Sequence, residues 1–157
     1  MKNEEKKYPK VGIGVMIQNN KGQVLMGLRK GSHGAGEWAF PGGHLEFGET
    51  IFETAIRETR EEVGLEINEI ELISVADEMR YIETDGKHYL NIGVIAKYEG
   101  DEPRLVEKEK CEAWKWFDLD NLPDIIFEGT QLTINNYLKK RIYKCRVATS
   151  DFQFPIL

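Results

Sequence analysis

The sequence predicts a mixed α/β fold, a β-sheet with helices on its faces, and three observations carry that prediction. Apolar runs of strand length recur from residue 11 to residue 117. One amphipathic helical pattern interrupts them over residues 50–63, and a second helical stretch follows them at residues 128–140. The chain has 157 residues, about the size of one compact domain, so these elements are expected to share one core.

The elements follow in order. A polar tail is expected over residues 1–9, a domain over 10–143 and an extension over 144–157 that matches no pattern. VGIGVMIQ (11–18) reads as a strand, NNKG (19–22) as a hairpin turn and QVLMGLR (23–29) as the returning strand. KGSHGAGEW is a glycine-rich loop, and WAF is a strand stub before Pro41. GLEINEIELISVADEMRYIE (64–83) reads as one or two strands with a bend, HYLNIGVIAKYE (88–99) as the clearest long strand, and CEAWKWFDL (111–119) as a short last one. In the second helix Leu132, Tyr137 and Leu138 are candidates for burial.

Composition excludes several functions. The formal charge of -6 disfavours tight wrapping of nucleic-acid backbone, so no stable nucleic-acid complex is expected. No apolar stretch approaches the roughly 18 residues of a membrane span, and the N-terminus lacks the apolar segment of an export signal. Cys111 and Cys145 have no metal or redox spacing and read as free thiols in a reducing compartment, the cytoplasm.

Residues 36–66 hold eight glutamates. Thr50 and Glu53 form a capping-box pair, and Gly64 stands where a left-handed terminator belongs. At about 100° per residue from Glu58, the residues Phe52, Ala55, Ile56, Thr59 and Val63 form a core arc, and Glu58, Glu61 and Glu62 an acidic one beside it. Glu58 and Glu62 are a like-charge i,i+4 pair that weakens an isolated helix by roughly 0.2–0.5 kcal/mol. A solvated outer face accounts for such charge in most helices, and Arg57 could pair with Glu53 or Glu61. The preceding PGGHLEFGE, with Gly42, Gly43 and Gly48 leading to Glu49, favours instead a hard-cation site, Mg²⁺ or Mn²⁺, on a helix with a pre-shaped entry loop.

Gly43, Glu49, Arg57, Glu58, Glu61, Glu62, Gly64 and Leu65 together resemble the signature of a Nudix hydrolase of the MutT-like kind; Thr59 replaces the usual aliphatic residue. RKGSHGAGEWAFPGGHLEFGE and EKEKCEAWKWFDLDNLP are similar to small nucleoside triphosphate pyrophosphatases, including the human MutT homologue 2 group. The resemblance implies an α/β/α sandwich with a mixed sheet and a Mg²⁺ site on Glu58, Glu62 and Glu61. It adds an acid from the loop before the last strand, for which Glu109 is the candidate and Glu112 the second. Arg57 is implied as a brace through Glu49, and Glu61 as the general base. Arg29, Lys30, His33, Gly43 and His44 are the implied substrate contacts, with His44 either touching the diphosphate or capping its loop. Gly12, Gly14, His33, Trp114 and Trp116 are the candidates around the base.

The implied reaction converts a standard or modified nucleoside triphosphate to the monophosphate and pyrophosphate. Tyr81 keeps a dinucleoside polyphosphate reading open. ADP-ribose hydrolysis and an inactive nucleotide-binding regulator stand beside it as rival readings. Homodimers are common in the resembling group, although no strand or patch here marks an interface.

Overall fold

The first strand sets the layering through its alternation. In β1 (Lys10–Gln18), Ile13, Val15 and Ile17 point to one face of the sheet and Met16 to the other, and each face has its own core. The computed structural model describes residues 7–31 and 33–144. Cys145, most of the N-terminal tail and all but Lys144 of the C-terminal extension lie outside them.

The remaining elements are β2 (Val24–Arg29), β3 (Trp38–Ala39), β4 (Gly42–His44), α1 (Ile51–Val63), β5 (Ile70–Glu78), α2 (Ile82–Asp85), β6 (Tyr89–Lys97), β7 (Cys111–Phe117) and α3 (Glu128–Leu138). The sheet runs β3-β2-β1-β6-β5, with β4 on β1 and β7 on β2. It is mixed because β1 and β6 are parallel while the other pairs are antiparallel. Helix α1 packs Ala55 and Val63 against one face, and α3 packs Ile134 against the other. The result is the α/β/α sandwich.

One topological detail makes the site. β1 and β2 pair at Gln18 opposite Val24, beside the hairpin, whereas farther along β1 is paired at Gly12–Gly14 by β4. β2 is paired instead by β3 and β7. The sheet therefore parts between β1 and β2, and a cavity occupies the opening.

Three expectations need correction. Residues 82–85 form a short helix rather than the end of a strand; the single strand β5 carries a bulge between Leu72 and Ser74 and stops at Glu78. Phe52 is 45 % exposed, at the start of α1 where the sheet does not cover it, and Thr54 is buried beside Ala55 instead. Leu138 is 54 % exposed, because α3 lies on the sheet through small and polar residues such as Gly129, Thr133 and Asn136. Asn136 ties this face down by donating to Ser74 Oγ at 2.9 Å and to the Ile142 carbonyl at 3.1 Å.

Thr59 is fully buried, and its hydroxyl lacks a hydrogen-bond partner among the described residues. An unsatisfied buried hydroxyl costs about 1–3 kcal/mol, so Thr59→Val is expected to stabilise the fold by about 1 kcal/mol. Urea unfolding of the two proteins checks this through a higher midpoint at unchanged slope.

Candidate active site

Helix α1 begins where its cap dictates. The Thr50 side chain accepts from the Glu53 amide at 3.2 Å, the Glu53 carboxylate accepts from the Thr50 amide at 2.8 Å, and Gly64 ends the helix at φ 71°. This fixes the rotation of the acidic arc. Glu58 and Glu62, one turn apart, reach the cavity together. Glu61, about 60° around the helix, does not line it, and its side chain is 53 % exposed.

Glycines let the backbone approach these acids. A side chain on Gly42 would run into the Ile13 carbonyl, and one on Gly43 into the Glu58 carboxylate. The Gly42 amide, freed to face α1, donates to Glu62 Oε2 at 3.0 Å. Arg57 braces the arrangement with a fork on Glu49 at 2.6 and 2.9 Å, a bond to Glu58 Oε1 at 2.7 Å and one to the His44 carbonyl at 3.3 Å. Its remaining acidic neighbour is Glu61, at 3.4 Å.

Arg57, through its hydrogen bonds, holds the Glu49 carboxyl down at about 2, and this has a stability consequence. A folded-state value below the ordinary 4.5 means that the ion pair stabilises the fold above about pH 4.5 and ceases to do so as pH falls to about 2. Wild type is expected to be more stable than Glu49→Gln by a constant margin above that window. The margin should close through it, as measured by denaturant midpoints at successive pH values.

The cavity measures about 320 Å³. Glu58, Glu62 and Glu107 stand close together in its lining. A turn in which the Glu107 carbonyl accepts from the Lys110 and Cys111 amides, each at 3.1 Å, aims Glu107 inward. The same turn leaves Glu109 exposed and outside the lining, and Glu112 is exposed as well. Glu107 Oε1 accepts from Lys110 Nζ at 2.8 Å, while its Oε2 is buried without a hydrogen-bond partner among the described residues. Burial pushes the Glu62 carboxyl up to about 7, helped by the charges of Glu58 and Glu107 and opposed by the Gly42 amide. Burial also raises Glu58 against the pull of Arg57.

A hard divalent cation suits this donor set. It would neutralise acids that now raise one another's affinity for protons and would give Glu107 Oε2 a partner. Among the described residues no three acids, histidines or cysteines already converge in coordinating geometry. Glu58 is turned onto Arg57 and Glu62 onto Gly42.

The other predicted contacts are partly brought together. Arg29, Lys30, His33, Gly43 and His44 all line the cavity. Arg29 donates to the His33 carbonyl at 3.1 and 3.2 Å and lies 4.6 Å over the Phe127 ring. Lys30 ties the Glu107 turn to β2, its amide donating to the Lys110 carbonyl at 2.8 Å and its Nζ to the Lys108 carbonyl at 3.0 Å. His33 Nδ1 pairs with Asp85 at 2.9 Å. His44 stacks on Tyr89 and shares a 2.9 Å hydrogen bond with its hydroxyl; burial lowers the ring's affinity for a proton. Gly12, Gly14 and Trp114 line the cavity, whereas Trp116 belongs to the α1-side core. Tyr81 stands outside the lining and donates to Glu37 at 2.7 Å.

The model of the NUDIX domain matches residues 8–135 of this chain. The chain belongs to the NUDIX family. It is 33% identical over 136 residues to the ADP-ribose pyrophosphatase of Methanocaldococcus jannaschii, covering 84% of this chain and 75% of that protein. It is 30% identical to the NAD-capped RNA hydrolase NudC of Stutzerimonas stutzeri, covering 86% of this chain and 47% of that one, so it spans about half of that relative's length. The oxidized purine nucleoside triphosphate hydrolase of Danio rerio is 33% identical over 102 residues, which cover 65% of this chain and 62% of that protein. Among solved structures, the MutT NUDIX hydrolase of Burkholderia pseudomallei superposes with a TM-score of 0.77 at 32% identity, over 83% of this chain and 98% of that one.

Reading the sequence of this NUDIX chain missed Glu107, Lys110, Glu78, Asn91 and Phe127, all of which line the cavity. Glu78 was within reach of the strand pattern. It continues the inward alternation of Ser74 and Ala76 along β5, where a carboxylate is out of place in a core. Glu107 had no such signal, since its direction comes from a turn in a loop dense with Lys and Glu.

Proposed function

We propose that the chain is a Mg²⁺- or Mn²⁺-dependent pyrophosphohydrolase that cuts a nucleoside triphosphate, standard or modified, into the monophosphate and pyrophosphate. The observation that carries this reading is one cavity of about 320 Å³ whose lining joins a cluster of acids suited to a cation, Glu58, Glu62 and Glu107, with the polar and aromatic side chains of Glu78, Asn91, Tyr89 and Phe127. Its volume stands near the lower bound of small-molecule sites, roughly 300–1,000 Å³, which favours one nucleoside over two. Tyr81, which would support the dinucleotide reading, is turned to Glu37 and stays outside the lining.

Glu58, Glu62 and Glu107 are assigned to the cation. When bound, it screens the phosphate oxygens and acidifies the attacking water. Arg57 and Glu49 hold Glu58 and the β4 backbone in position without reaching substrate. Arg29, Lys30 and Lys110 supply positive charge to a polyphosphate that a chain of net charge -6 would otherwise repel. A proton acceptor must come within about 3 Å of the water, directly or through one further water. That requirement favours an acid lining the cavity over Glu61, which Arg57 holds on the exposed edge.

The test is turnover with Mg²⁺ of deoxynucleoside triphosphates, modified triphosphates, dinucleoside polyphosphates, ADP-ribose and capped RNA, with products resolved by chromatography. Monophosphate and pyrophosphate from one or a few triphosphates support the proposal. Cleavage confined to ADP-ribose, dinucleotides or capped RNA refutes it, as does nucleotide binding without turnover.

A further inference from the structure

The cavity lining contains two further buried polar side chains that the chemistry above does not use. Glu78, on β5, is 4 % exposed, and Asn91, on the adjacent β6, is 6 % exposed; both line the cavity. Neither side chain has a hydrogen-bond partner among the described residues, and Glu78 Oε1 is fully shielded from solvent. They share one point in space. A side chain on Gly129, at the start of α3, would run into the Asn91 amide and meet Glu78 Oε2 at 2.6 Å. Buried polar groups in folded proteins are almost always paired, and leaving one unpaired costs the protein its full desolvation. Two of them, side by side in a cavity, describe a ligand by what it must supply.

We propose that Glu78, assisted by Asn91, reads the base of the substrate and selects a guanine-type heterocycle, one with two adjacent N–H donors beside a carbonyl. A carboxylate is a two-oxygen acceptor, and guanine meets it with N1–H and an exocyclic N–H, leaving its carbonyl for the Asn91 amide to donate to. Adenine and cytosine pair one donor with an acceptor, and thymine flanks its one donor with carbonyls. Each sets a lone pair against Glu78. Burial, then the charge of Glu128, pushes the Glu78 carboxyl up to about 7, with Arg29 and Arg80 opposing. Such a group gains from a ligand that brings donors and no further negative charge.

This assignment rests on the nucleoside triphosphate reading but is tested apart from it, by binding. The full chain is titrated calorimetrically with dGMP, dAMP, dCMP, dTMP and dIMP, the last being dGMP without its exocyclic amino group. dGMP is expected to bind tightest and dIMP on the order of tenfold more weakly, the scale of one lost hydrogen bond to a charged acceptor. In Glu78→Gln, whose side chain offers one acceptor and one donor, that gap is expected to shrink to about twofold or less. Absent dGMP binding, equal affinity for dGMP and dIMP, or an unchanged gap in folded Glu78→Gln overturns the proposal. If that variant does not fold, the wild-type comparison of dGMP with dIMP decides. A guanine preference without turnover of any triphosphate would sink the hydrolytic reading and leave this one standing. Turnover without a guanine preference would do the reverse.

Discussion

Glu62→Gln is expected to lower kcat by on the order of a thousandfold while raising the thermal midpoint of the protein in chelator at pH 8. The two effects share one cause. Of the acids on α1, Glu62 is the one that burial and the neighbouring charges of Glu58 and Glu107 disfavour most clearly, with its carboxyl pushed up to about 7. A folded-state value above the ordinary 4.5 means that ionised Glu62 destabilises the fold. That penalty is absent below about pH 4.5 and complete above about pH 7. Glutamine keeps an oxygen for the Gly42 amide and removes the charge. The melting gain should therefore be seen at pH 8 and vanish at pH 4. Mg²⁺ should raise the midpoint of wild type and much less that of the variant, because binding to the folded state alone stabilises it. Unchanged activity, or a lower midpoint at pH 8, would overturn the proposed assignment of Glu62 to the cation.

Glu107→Gln is expected to cost about a hundredfold in kcat, and Glu109→Gln less than about twofold. Glu107 Oε2 is buried, has no hydrogen-bond partner among the described residues and stands near Glu62, whereas Glu109 is exposed two residues away. Steady-state kinetics over a Mg²⁺ series separates the possible losses. A ligand role predicts a raised Mg²⁺ requirement for Glu107→Gln, and a purely structural role for the Lys110 pair predicts none. Equal losses in the two variants would mean that the turn, rather than the acid, is what matters.

Much of the site was legible because it is local. The capping box, the terminator glycine and the one-turn spacing of Glu58 and Glu62 are all contained in α1 and its flanks. A helix of known start and period places its own side chains. Phe52 and Leu138 were not legible, since periodicity identifies an apolar position without saying whether another element reaches it. Glu107 and Glu109 differ only in how a turn directs them, and no period describes a turn.

By itself the sequence determined the family, the order of the long strands and the two long helices, and which helix carries the acids, because all three depend on patterns within one element or one short motif. Tertiary structure alone decided which acid of the 107–110 turn faces inward and that Glu61 stays outside. It also decided that Glu78 and Asn91, distant in sequence, stand side by side beside Gly129. These depend on the parting of β1 from β2 and on the seating of α3 across β5 and β6. Such placements are set by packing between segments far apart in the chain, where no single segment contains the information.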